Sequence, residues 1–515
     1  MLKRKKEVTY TYSPSSKTKV SKDIEENIEI IKTMLKDCDD VVFREFEVGG
    51  DGGEKMFLFY VDGMADKLLL DEFVLMPLMI SSREVAPDFN QIKNKLYEVT
   101  KDNAMVVTDF KEMDIIEDIV MEVLSGDTAL FISNTDKVLL IATKAFPTRS
   151  VSEPSAEIVI RGPRDGFTET IRINTALIRR RIRDPRFKIK QKRIGVRSKT
   201  DIAIMYIEDI VDKRVLDQLY SKLDKINIDA IIDSGYIQQL IEDKVFSIFP
   251  QAQTTERPDV VAAAVYEGRV GILVDNSPFA LIVPVTINAF FQSGEDYYSR
   301  PVISTFIRFL RIIAGALSIL APSLYIAITS FHPQIIPAKL ALSIAATREG
   351  VPFPAFVEAI IMEATFELLR EAGVRLPRPI GSTIGIVGGL VIGQAAVAAG
   401  IVSPIMVIVV AITAISSFSI TNYELATALR LLRFIFMIAA SIYGLYGIVL
   451  SYIGTLIYVV NLKSFGTPYL APLSPFYITD MKDSIFKLPL KYLKTRPLHF
   501  DPQDIIRQGD EDGSK

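Results

Sequence analysis

The sequence divides near Arg311. Before it, roughly 300 residues of mixed, charged sequence read as soluble protein. After it, apolar stretches recur at lengths fit to cross a bilayer, which takes about 20 residues. The clearest is Ile312–Phe331, which holds no formal charge; Ile380–Val402, Pro404–Ile420 and Phe434–Val460 follow. The expected fold class is an α/β two-subdomain soluble head followed by an all-α multi-span membrane domain. Such a chain moves something across a membrane, senses something for a partner that does, or anchors an activity there.

Composition narrows the chemistry. The 515 residues suffice for two or three folded units, and a net charge of -3 suggests no nucleic-acid partner. Met1-Leu-Lys-Arg-Lys-Lys6 has no apolar run behind it, so no signal peptide is expected and the head is expected in the cytoplasm. One cysteine, Cys38, excludes an internal disulfide, and Asp37, Asp39 and Asp40 beside it should disfavour its thiolate. With His332 and His499 as the two histidines, zinc sites and His-based triads are poorly supplied. His332, before Pro333 at the end of an apolar run, reads as an interfacial residue. No phosphate-cradling loop stands out, so no enzyme activity, cofactor or metal site is expected.

The expected organisation starts with a disordered basic lead over 1–20. An α/β subdomain over 21–148 follows, with a helix over Ser21–Asp37 capped by Ser21, strands Val41–Val48 and Met56–Val61, a helix over Glu112–Leu124, and strands Thr128–Ile132 and Lys137–Thr143. After a Ser/Pro linker, a second α/β subdomain covers 156–290. Its strands are Phe187–Ile194, Asp201–Ile207, Asp229–Ile232, Arg269–Val274 and Phe279–Val283; its helices are Asp212–Leu223, Ser234–Glu242 and Arg257–Glu267. A transmembrane domain over 300–462 and a cytoplasmic tail over 463–515 complete the chain. The most charged window, Arg179–Arg197, reads as a helix end and an edge strand with a charged solvent face, which also resists aggregation. Subunit contact ranks second, and contact with anionic lipid or nucleic acid after it.

Three features of the apolar half are candidates for function. Ala355–Glu371 carries Glu358, Glu363 and Glu367 with Arg370, and carboxylates in an apolar helix must face protein or water. They read either as a cation-attracting vestibule or as an interfacial helix with a Glu367–Arg370 ion pair. Gly381, Gly385, Gly389 and Gly393 form an i+4 stripe that lets another helix approach closely. Thr413, Ser417, Thr421 and Glu424 share one helical face and could line a hydrated path, although hydroxyls more often bond to backbone. Lysines after 462 place the C-terminus in the cytoplasm, which with a cytoplasmic head requires an even number of crossings.

Longer strings carry a resemblance. Gly162-Pro-Arg-Asp-Gly-Phe167, Ile178-Arg-Arg-Arg-Ile-Arg-Asp-Pro185, Thr255-Glu-Arg-Pro-Asp259 and Phe291-Gln-Ser-Gly-Glu-Asp-Tyr-Tyr298 lie before the apolar half. Arg348-Glu-Gly-Val-Pro-Phe-Pro354, Arg375-Leu-Pro-Arg-Pro-Ile-Gly381 and Phe465-Gly-Thr-Pro-Tyr-Leu-Ala-Pro472 lie within and after it. Over about residues 20–475 the chain resembles the A subunit of GerA-type spore germination receptors. The sister stage V sporulation AF type shares much of the pattern. The resemblance implies a multi-pass protein in the spore inner membrane, in contact with membrane lipid. It implies a transporter-like B subunit and a lipoprotein C subunit as partners, and a homo-oligomer that releases monovalent cations. Two other readings stay open: a secondary transporter with its own substrate site, against which the lack of a convincing internal repeat counts, and a non-conducting scaffold.

Overall fold

The computed structural model describes residues 17–48, 53–81, 97, 100–101, 109–146, 153–154, 157, 159–375, 389 and 391–508. The chain divides into two units. One comprises Met1–Asp243, Ala252–Pro284 and Leu490–Lys515; the other comprises Lys244–Gln251 and Val285–Pro489.

The first unit holds two five-stranded antiparallel sheets. In the first, β1 (Val41–Val48), β2 (Glu54–Val61), β3 (Phe110–Met113), β4 (Thr128–Ile132) and β5 (Val138–Ile141) are ordered β1-β2-β4-β5-β3. Strand alternation decides its two faces. Phe57, Phe59 and Phe131 pack on one side with the helices Ile24–Met34 and Ile116–Val123. Met56, Leu58 and Leu130 pack on the other with Leu70, Val74 and Leu78. Sheets covered on both sides read as apolar runs, as in the Met56–Phe59 segment. The first helix is capped by Asp23, whose side chain accepts from Glu25 N, rather than by Ser21. Residues expected at the start of a helix at Glu112 lie instead in β3, where Glu112 pairs with Leu139.

In the second sheet, β6 (Phe187–Ile194), β7 (Thr200–Ile207), β8 (Gln253–Thr255), β9 (Val270–Val274) and β10 (Ala280–Val283) are ordered β6-β7-β9-β10-β8. Helices Ile171–Arg179 and Pro258–Tyr266 cover one face through Leu177, Ile178, Val261 and Val265. Asp229–Ile232 is not a strand. Its backbone is held by Ser198 Oγ, which accepts from Ile231 N, and by Thr200 Oγ1, which donates to Ile231 O.

The basic window is an edge strand, but its charges are not simply a solvent face. Arg179 is fully buried and grips Asp40 with two bonds, Nε to Oδ2 and Nη2 to Oδ1, both 2.8 Å. Its Nη1 donates to Phe187 O at 2.9 Å. Lys188 is buried as well and reaches Met34 O at 3.3 Å. Other charges of the window pair within the same unit: Arg181 with Asp165, Arg186 with Asp184 and Asp209, Arg193 with Asp201, and Arg197 with Asp229. The edge of β6 is also met by the chain before β1, since Asp39 N donates to Ile189 O at 2.9 Å. Cys38 lies in this junction. Burial pushes its thiol up, with Asp40 adding to that and Arg179 opposing it, so desolvation outweighs the neighbouring carboxylates expected to control it.

The second unit is helical: Pro301–Ser330, Ala338–Arg348, Ala355–Arg375, Pro404–Phe418, Tyr423–Tyr443 and Leu445–Val460. Two of these, Pro301–Ser330 and Tyr423–Tyr443, are long and apolar enough to cross a membrane, while Pro404–Phe418 and Leu445–Val460 are apolar but shorter. The stretch expected as one span over Phe434–Val460 is broken at Gly444, whose φ of 60° and ψ of -137° end one helix and start the next. Of Ile380–Val402, residues 380–388 and 390 lie outside the described residues.

Candidate functional site

The long Pro301–Ser330 helix begins with proline at its first position, where the missing N–H costs nothing. Its Arg308 and Arg311, three apart, turn to one carboxylate: Asp296 Oδ2 lies 3.1 Å from Arg308 Nε and 2.8 Å from Arg311 Nη1. Arg308 Nη1 also reaches Asp483 Oδ1 at 3.0 Å, and Tyr297 donates to Asp483 Oδ2 at 3.0 Å. Asp296 and Asp483 thus neutralise two arginines that would otherwise enter an apolar helix unpaired.

Each candidate carboxylate of the Ala355–Arg375 helix meets an arginine. Glu358 is buried, lies 3.1 Å from Arg348 Nη2, and accepts from Ser403 N at 2.8 Å. Ser403 caps the Pro404–Phe418 helix, so this carboxylate sits where backbone N–H groups and the helix dipole favour negative charge. Glu363 is buried against Arg433, Oε2 to Nη1 3.1 Å. Glu367 pairs with Arg370 on its own helix and with Arg430 at 3.4 Å. Four arginines therefore face three carboxylates.

These pairs differ in quality from the one in the head. Asp40 and Arg179 share two short bonds. Among the described residues Glu363 Oε1 and Arg433 Nε have no hydrogen-bond partner, so a single contact there holds two buried charges. Buried polar atoms left unpaired are uncommon and mark sites of strain or function.

The hydroxyl stripe is not continuous. Pro404–Phe418 ends before Asn422 caps the helix that carries Glu424, and Thr421 Oγ1 donates to Phe290 O at 2.9 Å. Thr413 and Ser417 are buried and donate to Val409 O and Ala414 O, both at 2.8 Å. Of the glycine stripe, Gly381 and Gly385 lie outside the described residues. A methyl on Gly389 would stand 3.9 Å from Phe366, and one on Gly393 3.5 Å from Val407, both ordinary contacts. Among the described residues, packing does not demand glycine at either position.

Sequence reasoning selected the acids and missed Arg430 and Arg433. Arg430 and Arg433 sit three apart in an otherwise apolar helix, the same signal that selected the glutamates. Among the described residues no cluster of His, Cys, Asp and Glu could hold a metal ion.

The chain is thus a sheet-rich N-terminal half followed by a helical region that holds two helices long and apolar enough to cross a membrane and buried charge pairs between helices. The family described as Bacillus/Clostridium GerA spore germination protein matches residues 29–499, and the chain belongs to it. It is 43% identical to spore germination protein KA of Bacillus subtilis (strain 168), over 95% of this chain and 89% of that protein. It is 42% identical to spore germination protein B1 of the same organism, over 95% of this chain and 99% of that protein. Among solved structures, the N-terminal domain of the A subunit of the Bacillus megaterium spore germinant receptor GerK3 aligns at 29% identity, covering 52% of this chain and 96% of that one, with a TM-score of 0.39.

Proposed function

We propose that this chain is the A subunit of a nutrient-responsive spore germination receptor. In this reading the helical unit crosses the inner membrane of the spore several times and the head stays in the cytoplasm. Copies of the chain assemble beside the transporter-like B and lipoprotein C subunits and open a path for monovalent cations. Family membership supports the receptor role. One observation carries the mechanism: Glu363 and Arg433 are buried, charged and joined by a single contact between two helices of an apolar unit. Two charges in that setting cost several kcal/mol of desolvation each. A device that must open and close can use such a pair, since parting it hydrates both groups and exposes a carboxylate to a passing cation.

The arrangement described is the closed one in this reading. Glu358 and Glu363 are buried against Arg348 and Arg433, so a cation does not reach them until the helices part. A second reading, the non-conducting scaffold, is favoured by the satisfied hydroxyls of Thr413 and Ser417, which bond within their own helix. Conductance of the chain reconstituted with its B and C partners in a planar bilayer separates the two. Germinant-dependent cation current that Glu363→Gln alters supports the channel. Absence of current with a correctly assembled complex supports the scaffold.

A further inference from the structure

One surface feature is not explained by packing or by the charge pairs. The loop Lys244–Gln251 belongs to the helical unit and is tightly built. The Gln251 side chain closes it, accepting from Lys244 N at 3.1 Å and donating to Lys244 O at 2.9 Å. Ser464 Oγ fixes Gln251 O at 2.7 Å. Phe249 anchors the loop, buried against Tyr458 and Tyr469 with ring centroids 6.2 and 6.3 Å away. At the tip of this ordered loop, Phe246 is 99% exposed and Val245 68%. With Ile248, also exposed, they put three apolar side chains within four positions of an ordered loop in water.

Position and charge identify an occupant. Tyr458 is two residues from the end of the Leu445–Val460 helix, whose Ile453, Leu456, Ile457 and Val460 are exposed apolar side chains. That helix has 16 residues, about 24 Å at 1.5 Å per residue, against a hydrocarbon core of about 30 Å. Its end therefore falls at or inside the edge of the core, and a loop stacked on Tyr458 lies at headgroup depth. Lys244, 5.3 Å above the Tyr458 ring, and the exposed Lys463 put positive charge at the same level. An aromatic flanked by lysines at a helix end is the composition of a bilayer interface.

We propose that the Lys244–Gln251 loop is a lipid-binding foot. Val245 and Phe246 enter the headgroup layer of an anionic bilayer, and Lys244 and Lys463 face its phosphates. The foot fixes the depth of the last helix from outside the spans. This inference rests on the membrane reading of the helical unit.

The chain contains no tryptophan, so Phe246→Trp provides a single reporter. The full-length variant is reconstituted in vesicles of phosphatidylcholine and phosphatidylglycerol carrying brominated acyl chains, with Ile453→Trp as a separate variant. The foot predicts blue-shifted emission from position 246. It also predicts quenching several-fold stronger by bromines near the glycerol backbone than by bromines near the chain ends, weak iodide quenching, and a weaker effect when phosphatidylglycerol is omitted. Water-like, iodide-quenched emission at 246, with Ile453→Trp quenched by deep bromines, overturns the foot and leaves the membrane reading standing. Blue-shifted emission that no bromolipid quenches overturns it in favour of a protein contact, such as a second copy of this chain. If Ile453→Trp is also untouched by bromolipid, the membrane reading falls and the foot with it.

Discussion

Arg433 Nη1 lies 3.1 Å from Glu363 Oε2, joining the Tyr423–Tyr443 helix to the Ala355–Arg375 helix through two side chains all but excluded from solvent. A buried pair of this kind is a poor source of net stability, yet breaking it one partner at a time is costly. Glu363→Gln and Arg433→Gln are each expected to destabilise the full chain, by about 3–5 kcal/mol where a charge is left stranded. The swap Glu363→Arg with Arg433→Glu should recover much of the loss. Thermal unfolding of the detergent-solubilised protein checks this; a swap no better than the worse single variant would show that the two side chains do not act as a pair.

The break between the last two helices has a steric cause. A Cβ on Gly444 would lie 2.9 Å from Phe331 Cβ at a positive φ, and one on Gly447 only 2.1 Å from Ala439 O. Gly447→Ala must displace backbone, so its yield should fall well below that of Gly393→Ala, whose added methyl meets Val407 at 3.5 Å. Equal yields and melting temperatures for the two would contradict the packing described at Gly447.

In the head, Asp40 and Arg179 bridge the start of one sheet and the edge of the other. Asp40→Asn strands a buried guanidinium and should cost several kcal/mol, on the order of 3–5. Arg179→Met combined with Asp40→Leu leaves no charge behind and should be milder than Asp40→Asn alone. Denaturant unfolding followed by tyrosine fluorescence distinguishes the two, and a milder single variant would rule out the stranded-charge explanation.

Much of the head was legible in the sequence because its strands alternate or run apolar. Phe187–Ile194 was placed to the residue, as was Thr128–Ile132. Two short strands were not: Gln253–Thr255 and Phe110–Met113 carry polar residues and are too short to show a period, and only their partners define them. Helix Ile171–Arg179 also escaped notice, since it lies in front of a charged string that masks its buried face. At the candidate site the acids were visible one by one. Arg370 could be read as a partner of Glu367 on the same helix, but the distant partners could not, because Arg433 is 70 positions from Glu363 and only the fold brings them together. Gly444 was hidden inside an apolar run long enough to read as one span.

A pH test reaches the head alone. Glu157 accepts from Thr255 Oγ1 at 2.6 Å and from Glu256 N at 3.2 Å, yet burial pushes its carboxyl up to about 7, against a usual 4.5. Between those values the folded state holds a proton that the unfolded state has released. This group's contribution to stability therefore falls as pH rises from about 4.5 to about 7 and is flat beyond. Glu157→Gln should remove that part of the slope. Superimposable pH profiles of melting temperature for parent and variant would show that the carboxyl is not held in its protonated form.

The central claim, that the Glu363–Arg433 pair holds a cation path shut, is tested most directly by germinant-free cation efflux from vesicles carrying the complete receptor. The double variant Glu363→Gln with Arg433→Gln removes the attraction and leaves no stranded charge. At matched protein level it should release cations several-fold faster than the parent before any germinant is added, with the germinant-dependent increment correspondingly reduced. Efflux equal to the parent's, with the full germinant response retained, would contradict the account.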